Sequence, residues 1–171
     1  MADDATMSLS ATILPDEISK SLTSLSMVYT PADDTEGWYY KLTDVTTSSL
    51  DLITTNTYLQ MGGSAQGDDA GAVMHAVATT DKVKFLFIKH TGVTDDGSTA
   101  NTTDSVYLCL DAGAAAHDLA DAIEIGPNES WYVKLNGVTV ADIHCISGEK
   151  LGAGVGSAKI QCLVAAILDN V

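Results

Sequence analysis

Short runs of apolar and β-branched residues recur along the chain roughly every 10 to 14 residues, separated by Gly, Asp, Asn and Pro. This spacing predicts strands, because no stretch keeps a helical period for more than two turns. The run AVMHAVA is compatible with either a strand or a helical turn. Many short strands of this kind predict an all-β protein, a jelly-roll-like β-sandwich. The predicted strands are SLSMVYT, GWYYKL, SLDLIT, TNTYLQM, KVKFLFIKH, SVYLCLD, AIEIG, ESWYVKL, ADIHCISG and AKIQCLVAAILD.

KVKFLFIKH, residues 82–90, is the clearest element. Lysines stand at its rims and apolar residues run without a break between them. Continuous apolar character predicts a strand in the middle of a sheet, buried on both faces for part of its length. A long polar loop, residues 91–104, is predicted to follow it.

IEIGPNESWYVKL, residues 123–135, joins two strand-like runs through a Gly-Pro-Asn turn. The pattern predicts a hairpin. In its second strand, alternation places Trp131 and Val133 inward and Tyr132 and Lys134 outward.

The first 22 residues alternate small polar and apolar types without a clean period. They predict an N-terminal arm or edge strand over 1–22, followed by a β-sandwich domain over 23–171. Acids stand where a secretory signal would carry lysines, so no signal peptide is expected.

The chain has 23 acidic residues against 8 lysines and no arginine, a net charge of −15. An acidic surface repels phosphate backbones and anionic lipid, and nucleic-acid recognition draws on arginine. We therefore expect neither nucleic acid nor a membrane as partner. Few charged residues (18%) and many Ser and Thr fit outward-facing strand positions.

Cys109, Cys145 and Cys162 are odd in number and each lies within an apolar, strand-like run. This predicts buried free thiols, made in a reducing cytoplasm.

Metal-binding patterns are weak. A cupin-like site would draw on Glu129 and His144, but no His-x-His pair is present. Among the loop acids Asp95 and Asp96 are best placed for calcium, yet the EF-hand pattern is missing. The sequence therefore predicts no metal and no cofactor.

Catalytic patterns are also missing. The glycines of 148–159 lack both the dinucleotide-binding and the P-loop spacing, which leaves a flexible hairpin loop. No Gly-x-Ser-x-Gly occurs, so we expect no catalytic residues and no enzyme.

KFLFIKHTGVTDDGSTANTTDSVYLCLDAG, AIEIGPNESWYVKL, IHCIS and IQCLVAAILDNV together resemble small virion structural proteins of marine tailed bacteriophages. The resemblance covers about the last 90 residues and implies a β-sandwich that assembles on a capsid or tail. Placement away from packaged DNA also fits the acidic charge.

These observations favour a capsid decoration, or cement, protein. It would form a homotrimer on the outer capsid surface of the virion, bind the major capsid protein, and be made in the host bacterial cytoplasm. The nearer alternative is a tail or tail-tube protein, with residues 91–105 as a stacking loop. The further one is a cupin-like enzyme or a glycan-binding jelly roll that stacks sugars on Trp38, Tyr39, Tyr40 and Trp131. The apolar residues expected to contact the capsid or a neighbouring subunit are Leu9, Ile13, Leu14 and Ile18.

Overall fold

The computed structural model describes residues 5–9, 25–31, 36–55, 58–61 and 73–170. Within these ranges the chain forms twelve β-strands and two single-turn 3-10 helices, Val140–Asp142 and Lys150–Gly152. The strands are β1 (Ala5–Leu9), β2 (Leu25–Tyr29), β3 (Glu36–Val45), β4 (Leu50–Asp51), β5 (Tyr58–Met61), β6 (Val73–Ala76), β7 (Lys82–Thr94), β8 (Asp104–Cys109), β9 (Ile123–Ile125), β10 (Ser130–Thr139), β11 (His144–Glu149) and β12 (Ile160–Asp169).

Eight of the strands form a jelly roll, a long antiparallel ribbon rolled into two facing sheets. β3 pairs with β12, β4 with β11, β7 with β10, and β8 with β9. Rolling the ribbon brings β7 against β12 and β8 against β11. The resulting strand orders are β10-β7-β12-β3 in the large sheet and β4-β11-β8-β9 in the small sheet. The predicted jelly-roll-like β-sandwich is confirmed.

Two hairpins are added to this roll. β5 and β6, the latter from the ambiguous AVMHAVA run, extend the large sheet beyond β3. β1 and β2 form a separate two-stranded sheet. Tyr29 at its end packs against Phe85 and Ile167 on the outer face of the large sheet. The Tyr29 hydroxyl donates a hydrogen bond to Glu36 Oε2 at 2.6 Å.

The main core lies between the two sheets, and strand alternation decides which side chains fill it. Cys162, Val164 and Ala166 of β12 are fully buried at every second position. Val106 and Leu108 of β8 meet them from the small sheet. Apolar burial stabilises a fold by roughly 25 cal/mol per Å², so this layer is the main source of stability.

β7 lies between β10 and β12 and is buried on both faces along its middle, as predicted. Leu86 and Ile88 enter the main core. Phe85, which is 2% exposed, lies on the outer face beneath Tyr29.

The outer face of the small sheet is covered by the segment 110–122. Tyr107, Cys109 and Ile146 on that face pack against Ala115 and Ala122 of the segment. Small alanine side chains let the segment approach the sheet closely, so every residue of β8 is buried.

Glycine permits the closest approach at this contact. A Cβ added to Gly148 in β11 would lie 2.6 Å from His117 Cβ and 2.9 Å from Tyr107 Cε2.

Two sequence predictions about connections are wrong. Residues 123–135 are not a hairpin, because β9 pairs in the small sheet and β10 in the large one. The Gly-Pro-Asn turn is instead a corner between sheets. The loop 148–159 likewise joins β11 of the small sheet to β12 of the large one. A turn sequence fixes the bend, but the partners of the flanking strands decide whether those strands pair with each other.

The polar loop after β7 is also shorter than predicted. Residues 91–94 continue the strand, and Val93 forms a bridge with Ala100. The strand's extension was not predicted, because the Thr and Gly residues in this part of the sequence are typical of loops.

Candidate interaction surfaces

The side chains considered for a cupin-like metal site have other partners. Glu129 Oε2 accepts a hydrogen bond from the Gly126 amide at 2.8 Å and so closes the corner before β10. His144 Nδ1 lies 3.1 Å from Asp51 Oδ1 on the paired strand β4. Among the residues that the structure describes, no three His, Cys, Asp or Glu side chains form a group able to hold a metal ion.

The two acids considered for calcium also have internal partners. Asp96 Oδ1 accepts hydrogen bonds from the Ser98 and Thr99 amides at 2.8 and 2.7 Å. The hydrogen bond from the Thr99 hydroxyl, together with these amide bonds and one from the Thr94 hydroxyl, holds the pKa of Asp96 well below its usual range. Asp95 lies 3.6 Å from the Lys159 ammonium. Both carboxylates thus stabilise the turn after β7.

The four aromatic residues considered for sugar stacking do not form one platform. Tyr39 is 1% exposed and lies in the main core, whereas Tyr40 is 78% exposed on the opposite face. Trp131 packs against the core. Trp38 meets Phe85 edge-on, with ring centroids 6.4 Å apart.

The three cysteines are free and buried, as predicted. Burial raises the pKa of Cys145 well above its usual value and that of Cys162 to about 12. Thiols held in their neutral form are poor nucleophiles and poor metal ligands.

A buried polar network that the sequence did not reveal links the two sheets. Asp104 at the start of β8 is 1% exposed. Its Oδ2 accepts hydrogen bonds from the Ser157 amide and hydroxyl, at 2.9 and 2.8 Å, and from the Ala158 amide at 3.0 Å. Asn101 Nδ2 adds a longer bond at 3.4 Å. One carboxylate thus fixes the end of the glycine-containing loop just before β12.

His90 completes this network from β7. Its Nδ1 accepts the Gly92 amide at 2.9 Å, and its Nε2 lies 3.2 Å from the Asp104 carbonyl oxygen. These partners fix the neutral tautomer with the proton on Nε2. Burial lowers the pKa of His90, and the bond to the Asp104 carbonyl opposes this only in part.

Stability is therefore expected to fall as the pH drops below about 6.5, the unfolded pKa of histidine. The unfolded chain binds a proton there, whereas folded His90 binds one only at lower pH. The loss should continue until the pH passes the lowered pKa of the folded state. Urea unfolding between pH 7.5 and 5.5 measures it. His90→Gln should be less stable at pH 7.5 yet lose less stability over this range, and an unchanged slope would contradict the assignment.

Exposed apolar side chains form a first surface on the outer face of the large sheet. Tyr40, Leu42 and Leu163 are 78%, 56% and 37% exposed. Leu163 in β12 pairs directly with Leu42 in β3 and with exposed Lys89 in β7. Tyr40 pairs with Ala165, one step along the same face. We call these five residues the sheet-face patch.

A second surface is a pocket of about 460 Å³ between segment 110–122 and the turn that begins at Lys150. Its apolar wall includes Leu151 and Leu119, which are 90% and 40% exposed. Its lining residues are Tyr107, His117, Asp118, Leu119, Ala122, Glu124, Leu151 and Gly152, and we call it the 119–151 pocket.

Leu151 is held in an unfavourable backbone conformation, with φ of 61°. The left-handed region costs a residue with a Cβ about 1 kcal/mol or more. Glu124 Oε1 accepts the Leu151 amide at 3.0 Å, and the Tyr107 hydroxyl accepts the Gly152 amide at 2.7 Å. These two hydrogen bonds thus fix the backbone of the turn that carries the exposed Leu151 side chain.

Lysines and acids are distributed unequally between the two sheets. Within the described residues, all five lysines that lie in strands belong to the large sheet: Lys41, Lys82, Lys84, Lys89 and Lys134. From residue 90 to residue 133 the chain carries eight acids and no lysine. The 119–151 pocket is rimmed by two of these acids, Asp118 and Glu124.

The predicted capsid-contact residues fall mostly outside this description. Leu9 ends β1 and pairs with Leu25 of β2. Ile13, Leu14 and Ile18 lie outside the described residues. In the part of the chain that the structure describes, no helix is long and apolar enough to cross a membrane.

Solved structures that match this chain include a viral coat protein. The tobacco streak virus coat protein aligns over 82% of this chain and 88% of its own length, with 10% identity and a TM-score of 0.41. A score this low does not establish a shared fold. No family model matches the sequence, and no curated protein sequence matches it.

Proposed function

We propose that this protein is a virion structural protein that decorates the outer surface of a capsid by binding the major capsid protein. The observation that carries the proposal is a jelly roll with a polar, acidic surface, on which five of the seven exposed large apolar side chains of the described residues lie in the sheet-face patch or the 119–151 pocket. Apolar patches on a soluble protein mark contact surfaces.

The distribution of charge supports the outer face of the shell. A chain with a net charge of −15 and no arginine is repelled by packaged DNA. Jelly rolls also occur in viral capsid proteins, as well as in lectins and cupins; this is an analogy of fold. The resemblance of about the last 90 residues to phage virion proteins favours the first of these.

Copy number in purified virions of the virus that encodes this chain tests the proposal. Quantitative mass spectrometry should give a ratio to the major capsid protein near one, or one per few capsid subunits. A ratio of a few per cent would move the protein to the tail, and its absence from the virion would overturn the proposal.

The N-terminal apolar residues are proposed to make the shell contact. Replacing Ile13, Leu14 and Ile18 together with serine should weaken binding to purified shells by about tenfold or more, because buried apolar contacts dominate such interfaces. Co-sedimentation with shells measures the effect. Substitution is preferred to deletion of residues 1–22, because deletion would also remove β1 from its pairing with β2.

Asp111→Ser is a suitable control, because Asp111 is exposed and does not belong to the exposed large apolar side chains. It should leave shell binding unchanged, and thermal unfolding should show both variants folded. Equal binding by the triple variant and the native chain would show that these N-terminal residues do not contribute to the shell contact.

A further inference from the structure

We infer that the sheet-face patch of one copy docks on the 119–151 pocket of a second copy, so that the chain associates head to tail with itself. The inference deepens the homotrimer expected from the sequence by naming its contact surfaces. It does not depend on the shell, because it concerns contact between copies only.

The exposed apolar residues support two different surfaces rather than one. Within the described ranges, the exposed large apolar side chains fall into two groups. One lies on the large sheet and its adjoining hairpin: Val28, Tyr40, Leu42 and Leu163. The other lies on the loops beside the small sheet: Leu119, Leu151 and Val155.

The two surfaces differ in shape. The sheet-face patch is a strand surface from which Tyr40, at 78% exposure, projects beside Leu42. The pocket is a shallow, open depression bordered by the apolar side chains of Leu119 and Leu151. Its turn is already fixed by Glu124 and Tyr107, so docking requires little ordering of this wall.

Charges of opposite sign also lie on the two surfaces. Lys89 stands exposed beside Leu163 in the sheet-face patch. Asp118 and Glu124 rim the pocket. Head-to-tail contact places lysine against acids, whereas face-to-face contact of two sheets would bring Lys89 of both copies to the same interface. Opposite charges at the rim of an interface favour the correct partner and register.

In an open chain of copies joined head to tail, the two end copies leave one sheet-face patch and one 119–151 pocket unoccupied. Such contacts close into a ring when the rotation between copies allows it, and otherwise grow into a filament. A closed ring of three copies would satisfy all patches and pockets and agree with the predicted trimer.

The test uses the isolated full-length chain in sedimentation velocity at physiological salt. Leu42→Glu alters the patch at a side chain that is 56% exposed. Leu151→Asn alters the pocket, and asparagine tolerates the left-handed conformation found there. Each variant alone should weaken self-association at least tenfold. Thermal unfolding confirms that both remain folded.

Mixing the two variants gives the decisive result. The intact patch of the Leu151 variant can still occupy the intact pocket of the Leu42 variant, so a one-to-one mixture should form a dimer that does not grow. A contact between identical surfaces would not be restored by mixing, and that outcome overturns the inference. So would a native chain that stays monomeric at the highest reachable concentration, which would assign the patch to another protein.

Charge reversal provides an independent control. Lys89→Glu should weaken association, and adding Asp118→Lys in the same chain should restore it, because the pair is then reversed across the contact. Adding Asp111→Lys instead makes the same change in net charge at an exposed acid that is not among the pocket's lining residues. Equal rescue by both lysines would show an effect of net charge only and would overturn the pairing.

Discussion

Replacing Asp104 with alanine is expected to lower the free energy of unfolding by about 4 kcal/mol, because several hydrogen bonds to one buried, ionised acceptor would be lost together. Oδ2 of this buried carboxylate accepts the Ser157 amide and hydroxyl and the Ala158 amide, all within 3.0 Å. For a chain of this length, such a loss lowers the melting temperature by roughly 10 °C. Urea and thermal unfolding measure both quantities.

Asp104→Asn separates charge from hydrogen bonding. The amide oxygen can still accept the same donors, but without the added strength of an ionised acceptor, so about half of the loss is expected. Asp111→Ala is the matched control: Asp111 is exposed and accepts one bond, from the Gly113 amide at 3.1 Å. It should change stability by less than about 1 kcal/mol. Equal effects at Asp104 and Asp111 would show that the buried network is not a principal link between the sheets.

The strands could be predicted from the sequence because their cause is local. Alternation in ESWYVKL correctly placed Trp131 and Val133 toward the core and Tyr132 and Lys134 outward. The continuous apolar run of β7 correctly predicted burial on both faces. Each of these signals is contained within one run of residues.

Pairing and long-range polar contacts could not be predicted in the same way. Asp104 and Ser157 are 53 positions apart, and nothing in NTTDSVY indicates which donors the carboxylate will meet. The corner at Gly126 has the sequence of a hairpin, but its flanking strands pair in different sheets. The closing of a ribbon into a roll depends on contacts between distant residues.

The candidate interaction surfaces were hidden for a related reason. Tyr40 and Leu42 are residue types that are common in protein cores. They are exposed because they lie on the outer face of β3. Leu151 follows Lys150 in a glycine-containing loop that was predicted to be flexible. The amides of its turn donate hydrogen bonds to Glu124 in β9 and to Tyr107 in β8. Because these partners are distant in the sequence, the fixed position of an exposed leucine could not be predicted from it.

Ile88→Ala is the second change expected to have a large effect, a loss of about 3 to 4 kcal/mol in the free energy of unfolding. Ile88 is fully buried between the sheets and lies opposite Val164 and Trp131 on the neighbouring strands. Truncation removes apolar contact and leaves a cavity that two sheets fixed by hydrogen bonds on both sides cannot close. Chemical unfolding at low protein concentration measures the loss without interference from self-association.

Leu163→Ala is the matched control on the opposite face of the same sheet. Leu163 lies on β12, immediately before Val164, but is 37% exposed, so its truncation should cost less than about 1.5 kcal/mol. The expected effects on association are reversed: Leu163→Ala should weaken contact between copies, whereas Ile88→Ala should leave it unchanged while the chain stays folded. If Leu163→Ala destabilised the monomer as much as Ile88→Ala, this outer face would be part of the monomer's core. If Leu163→Ala changed association alone, the inward-facing residues of the large sheet would serve folding and its outward-facing residues would serve assembly.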